Sequence, residues 1–309
     1  MPIRLPEELQ YIQNSVLPQK STDARMDGKV CVITGATSGI GYLTVRRLAR
    51  GGARPVLVCR NAEKGRALQD ELTRDFGAKS DLFIADFQRL AEVRDAALAI
   101  REAHPQVHIL INNAGLFNKR RRLTPDGNEM VFQVIHLAGF LLTHLLLPAL
   151  KKGAPARVID VSSEAHRFGG LNLNDLNWKK RPYIGLRAYG AAKIAQVLTM
   201  RQLAEEVKDS GVAVNAMHPG AVRTNIGMNN NIVYRLYSKY ILRWFLRDPN
   251  TSAEAIYYLC AAPELAGVTG SFFNQTIEEK PASYILKPGR QQAVWDASME
   301  LVRPFLSED

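Results

Sequence analysis

The chain has 309 residues, 46% of them hydrophobic and 23% charged, enough to build a large core. Its three cysteines, Cys31, Cys59 and Cys260, are too few and too scattered for a disulfide framework or a metal site. The formal charge of +10 suits an anionic partner such as a phosphorylated cofactor or a membrane surface, but the basic residues follow no nucleic-acid-binding motif.

Residues 1–28 read as an N-terminal extension, with Pro2, Pro6 and Pro18 and apolar residues Leu5, Leu9, Ile12 and Val16 at helical spacing. They lack the apolar region of a secretory signal. No apolar run approaches the ~18–20 residues that span a bilayer. The chain is therefore expected in the cytoplasm, with a peripheral membrane contact left open.

From residue 29 the pattern changes. Lys29–Thr34 reads as a buried strand, followed by a glycine-rich turn and a helix from Ile40 to Arg50. Further strands are expected at Pro55–Cys59, Asp81–Ala85, Val107–Ile111, Arg157–Val161 and Val212–Met217, separated by helices near 62–76, 88–103, 126–151 and 188–209. This alternation, with no linker or repeat, predicts one α/β domain over 29–309: a doubly wound, Rossmann-like parallel sheet with helices on both faces. Residues 232–247 form a basic, aromatic-rich amphipathic stretch, expected as a helix that packs on the protein, covers a substrate cleft as a lid, or lies at a membrane interface.

The turn Thr34-Gly-Ala-Thr-Ser-Gly-Ile-Gly41 ends the first strand. Glycines 35, 39 and 41 permit a tight turn and close backbone approach, so Gly35, Thr37, Ser38, Gly39, Ile40 and Gly41 are the expected pyrophosphate cradle. The second strand ends in Cys59-Arg60-Asn61, where sites that hold a ribose 2′-hydroxyl carry an acid. Arg60, with Asn61 and Lys64 close by, points instead to a 2′-phosphate and so to NADP(H).

Tyr189 and Lys193 lie four residues apart, on one face of a helix. A neighbouring ammonium favours phenolate over phenol, so Lys193 is expected to lower the Tyr189 pKa and make it a general acid/base. Lys119-Arg-Arg-Arg122 is either a solvated face or a docking patch for an anionic substrate, a membrane or an acidic partner.

With Asn112-Asn-Ala-Gly115, Ser162-Ser163 and His218-Pro-Gly220 added in order, the chain resembles the short-chain dehydrogenase/reductase family from about residue 29 to 275. Cys-Arg-Asn at 59–61, Val-Ser-Ser-Glu-Ala-His at 161–166 and His-Pro-Gly-Ala-Val-Arg-Thr at 218–224 are similar to its retinol-dehydrogenase-like branch. The resemblance implies hydride transfer between a nicotinamide and an apolar aldehyde or ketone, or the corresponding alcohol. Tyr189 would then be the acid/base, Ser163 would bond the substrate oxygen, and Lys193 would bind the nicotinamide ribose. Asp86 and Phe87 would meet the adenine, and Asn112, Asn113, Ala114 and Gly115 would line the cofactor. Pro219, Gly220, Val222 and Thr224 would contact its nicotinamide end. The resemblance also leaves open a homodimer through the helix after Tyr189, where Ile194, Ala195, Val197, Leu198, Met200 and Leu203 spread over more than one face.

One position departs from the pattern. Ile135 stands where the family carries a catalytic asparagine thought to hold a water of the proton relay. Either the relay is rerouted in a working enzyme, or the protein is an NADP(H)-binding sensor or interaction protein with weak turnover.

Overall fold

A computed structural model describes Asn14, residues 17–220 and residues 248–306 of the chain. Val222, Thr224, the segment 232–247 and the expected N-terminal helix residues Leu5, Leu9, Ile12 and Val16 lie outside the described residues.

Eight strands form one sheet: β1 (Val30–Thr34), β2 (Arg54–Cys59), β3 (Asp81–Ile84), β4 (Ile109–Asn112), β5 (Ala156–Val161), β6 (Val212–His218), β7 (Phe272–Asn274) and β8 (Ile277–Glu279). Their order is β3-β2-β1-β4-β5-β6-β7-β8, and all neighbours are parallel except β7 with β8. The strand order reverses between β1 and β4. Chains leaving those two strands turn in opposite directions, opening a crevice at their carboxyl ends, the usual ligand site of such sheets.

The central strands are apolar throughout because helices cover both faces. Residues on each strand alternate between those faces. Val32, Val58, Leu110, Val158 and Val214 pack under α3 (Leu90–Ala103), α4 (Met130–Lys152), α5 (Gly185–Glu206) and α7 (Arg290–Val302). Cys31, Ile33, Leu57, Ile111 and Ile159 pack under α1 (Gly39–Arg50), α2 (Ala62–Phe76) and α6 (Pro249–Ala261). All three cysteines are free and buried, as expected of small hydrophobes.

Two expectations need correction. The first concerns α4, which is long and apolar enough to cross a membrane by length and composition, with a mean hydropathy of 1.9. Inside the fold, 83% of its apolar window is buried, so protein rather than lipid covers it. Its start also differs from the expected residue 126: Asp126 and Gly127 form a turn, and the Asp126 carboxylate accepts the Leu90 N–H at the start of α3. The second concerns α5. Ile194, Ala195, Val197, Leu198, Met200 and Leu203 are all buried within the single chain, so these side chains offer no free face for a second subunit.

Candidate active site

The glycine turn joins β1 to α1. Gly35 and Gly39 take φ of +68° and +57°, a left-handed backbone that disfavours any side chain. Gly41 is constrained differently: a Cβ there would lie 2.3 Å from the Gly35 carbonyl oxygen. The turn is thus a cradle that a single methyl group would fill, which fits a pyrophosphate approaching backbone N–H groups. Ser38 occupies the cap position of α1 in an extended conformation, and its hydroxyl makes no capping bond. Arg60, Asn61 and Lys64 are all exposed at the end of β2, with Asn61 capping α2 by accepting the Lys64 N–H at 2.8 Å.

Asn112 and Asn113, adjacent in sequence, do different work. Asn113 donates from Nδ2 to the Thr34 carbonyl at 2.9 Å, and the Thr34 hydroxyl oxygen accepts the N–H groups of Asn113 and Ala114, each at 2.9 Å. This pins the end of β4 to the glycine turn. Asn112 points into the fold, where Nδ2 donates to Asp160 at 2.8 Å and to Thr143 at 2.9 Å. It supports the crevice from behind. Asp86 receives the Gln88 N–H at 3.0 Å, its own N–H goes to Glu92, and Phe87 beside it is buried. Pro219 and Gly220 follow β6, and the Ser252 hydroxyl donates to the Pro219 carbonyl.

β5 and α5 bring the catalytic candidates together. Ser163 caps a short 3₁₀ segment, Glu164–Phe168, accepting the Ala165 N–H at 3.2 Å. Its hydroxyl also faces the Tyr189 phenol and favours its ionised form. Lys193 is 4% exposed, with Nζ donating to the Val161 carbonyl at 2.7 Å and to Gln196 Oε1 at 2.9 Å. Nζ lies 5.6 Å from the centre of the Tyr189 ring.

The electrostatics differ from the expectation of a lowered phenol. Burial pushes the Tyr189 hydroxyl up to about 12, and the Ser163 hydroxyl only partly offsets it. Burial also pulls Lys193 down to about 7, against an upward pull from Asp160. Desolvation disfavours both charged forms, and Lys193 directs its hydrogens at Val161 and Gln196 rather than at the phenol oxygen. Burial therefore favours the protonated phenol and weakens the lysine's hold on its proton.

Ile135 is 2% exposed and sits in a π-helical turn, Gln133–Leu137, within α4. Neither polar neighbour replaces it. Gln133 is engaged with Asp126, Thr124 and Asn128, and His136 bonds Ser298 at 2.7 Å. In the basic run, the Arg121 guanidinium donates to the Asn177 carbonyl at 2.6 Å, while Arg120 and Arg122 are exposed.

Several residues of this region escaped sequence reasoning: Asp160, Gln196, Thr143 and the pair Glu164 and Arg167. Burial raises the Glu164 carboxyl to about 7, even with the Arg167 guanidinium against it. One signal was available for Asp160, an acid within the apolar run Arg157–Val161. The other residues carry no pattern of their own.

A profile of the short chain dehydrogenase family matches residues 29–233. Human retinol dehydrogenase 13 is 37% identical over 94% of this chain and 89% of its own length. Human retinol dehydrogenase 14 is 34% identical over 90% and 87%. A chicken WW domain-containing oxidoreductase is 34% identical over 99% of this chain and 75% of its own. Among solved structures, an uncharacterised protein of Mycobacterium paratuberculosis superposes with a TM-score of 0.71 at 30% identity, covering 91% of this chain and 95% of the other. L-Sorbose reductase from Gluconobacter frateurii, solved with NADPH and L-sorbose, shares the fold with a TM-score of 0.67 at 22% identity, over 83% and 98%.

Proposed function

The chain belongs to the short-chain dehydrogenase family, and on that premise we propose that it reduces apolar aldehydes or ketones with NADPH, Tyr189 acting as the general acid. The observation that carries this reading is the Ser163–Tyr189–Lys193 wall beside the glycine cradle. The nicotinamide, when bound, supplies or accepts the hydride. Ser163 holds the substrate oxygen next to the phenol. A phenol raised to about 12 rests protonated at neutral pH, and that form donates a proton to a carbonyl oxygen. The phenolate left behind faces the Ser163 hydroxyl and lies within reach of the Lys193 charge.

Exposed Arg60 and Lys64 at the end of β2 support NADP(H) over NAD(H), since a 2′-phosphate needs cations where a hydroxyl needs an acid. An apolar substrate is supported by the Phe117 ring packed edge-on against Tyr189 at 6.1 Å. Exposed Phe168, Ile184 and Leu186, which flank Ser163 and Tyr189 in sequence, point the same way. The retinol dehydrogenases among the relatives also act, by their names, on an apolar alcohol.

The test is NADPH oxidation by the purified full chain with a panel of aliphatic, aromatic and polyene aldehydes and ketones. Turnover that rises with substrate hydrophobicity is expected. Tight NADPH binding with no oxidation by any compound would overturn the enzyme reading. It would favour a cofactor-binding sensor or interaction protein, the alternative raised by the buried Ile135.

A further inference from the structure

Behind the catalytic wall, between the sheet and helices α4, α5 and α7, lies a chamber of about 20 Å³, room for one water. Polar residues share its lining with apolar ones: Asn112, Thr143, Asp160, Gln196 and Thr199, with His136 and His144 from α4. Asp160 is 9% exposed and has a single side-chain hydrogen bond, from Asn112. The Asn112 Oδ1 atom is buried and accepts no hydrogen bond. A carboxyl and a carbonyl oxygen both short of partners border a space the size of one water. Gln196 lines the same space, and its Oε1 accepts from Lys193 at 2.9 Å, which sets the ammonium beside the chamber.

Building on the hydride-transfer reading, we propose that Asp160 is a positioning residue whose buried carboxylate keeps Lys193 cationic. In this arrangement the chamber supplies the water that solvates the carboxylate.

The surrounding charges allow this. Burial raises the Asp160 carboxyl to about 6, against a lowering first by the Asn112 hydrogen bond and then by Lys193, the cation on α5. The other ionisable groups lining the chamber are His136, held near 3, and His144, also lowered by burial, so both are neutral at pH 7. No charged side chain from β4, β6 or α7 lines it. Lys193 also acts on His218, which burial holds near 3 and so neutral, leaving Asp160 as the charged group that supports the ammonium. An oppositely charged neighbour shifts a pKa by about 1–3 units at close range, and Asp160 and Lys193, which form no direct ion pair, belong at the lower end.

Two experiments on the full chain test the coupling. In the first, the pH profile of kcat is measured with NADPH and the best aldehyde of the panel. Asp160→Asn should move the limb governed by Lys193 to lower pH by about one unit, because the carboxylate that supports the ammonium is gone. Adding Gln196→Glu to that variant should bring the limb back, by placing a carboxylate on Lys193 directly. A uniform loss of kcat with the limb unmoved would mark Asp160 as merely structural and overturn the proposal.

The second experiment needs no turnover. Infrared titration should show a buried carboxyl with a midpoint near pH 6, absent in Asp160→Asn. That midpoint should rise by about one unit in Lys193→Met, since coupling is mutual. A midpoint that does not move overturns the proposal, even if no carbonyl is ever reduced. Failure of the enzyme reading alone would leave the infrared result intact.

Discussion

The two halves of the crevice reach their function by opposite means. At the β1–α1 turn side chains are left out, with glycine at 35, 39 and 41, and Arg60 and Lys64 at the end of β2 stand in solvent. At the β5–α5 wall it works by burying ionisable side chains, so that Lys193, Asp160 and Glu164 are all pushed toward their neutral forms. The difference is one of dielectric. An exposed cation stays charged and attracts a phosphate from outside, whereas a buried group near its titration point exchanges protons. On the proposed function, binding and chemistry are thus separated along the carboxyl ends of the strands.

The sharpest way to break this comparison is Tyr189→Phe. Turnover should fall by about 10²–10⁴-fold, the usual contribution of a general acid, with NADPH affinity unchanged. If activity survives nearly intact in a steady-state assay, the buried wall is not where the proton comes from.

Arg60→Ala tests the opposite half. A charge-assisted bond is worth about 1.5–3 kcal/mol, so NADPH binding should weaken roughly 10–100-fold while NADH binding stays level. Equal losses for both cofactors by calorimetry would mean that Arg60 does not read the 2′-phosphate.

The smallest effect is expected from Gly41→Ala. The added methyl would press on the Gly35 carbonyl, and overpacking of this kind costs about 1–3 kcal/mol. Roughly tenfold weaker NADPH binding should follow, with kcat largely preserved at saturation. A lower kcat with unchanged affinity would place the turn in the chemical step and erase the distinction between the halves.

Most of the sheet was legible because buried parallel strands are short apolar runs between helical patterns. The expected Asp81–Ala85 and Val212–Met217 runs match β3 and β6 to within a residue. The stretch after β6 was not legible. β7 and β8 have three residues each, too few for a period to show.

Asn112 and Asn113 show the same limit within the site. Both looked like cofactor contacts in a turn, yet one ties down Thr34 and the other is buried against Asp160, because successive residues leaving a strand point to opposite sides.

The sequence by itself determined the alternation of strands and helices, the glycine spacing, the Arg60 position and the order of Ser163, Tyr189 and Lys193. These are local properties, carried by residue type and spacing. Only the tertiary structure decided the protonation of the wall: a phenol raised rather than lowered, a lysine brought near neutrality, and a carboxyl and chamber behind it. A pKa depends on how much water the fold removes and which charges it brings close, and residues 31 to 48 positions apart, such as Asn112, Thr143 and Asp160, meet only when the chain has packed.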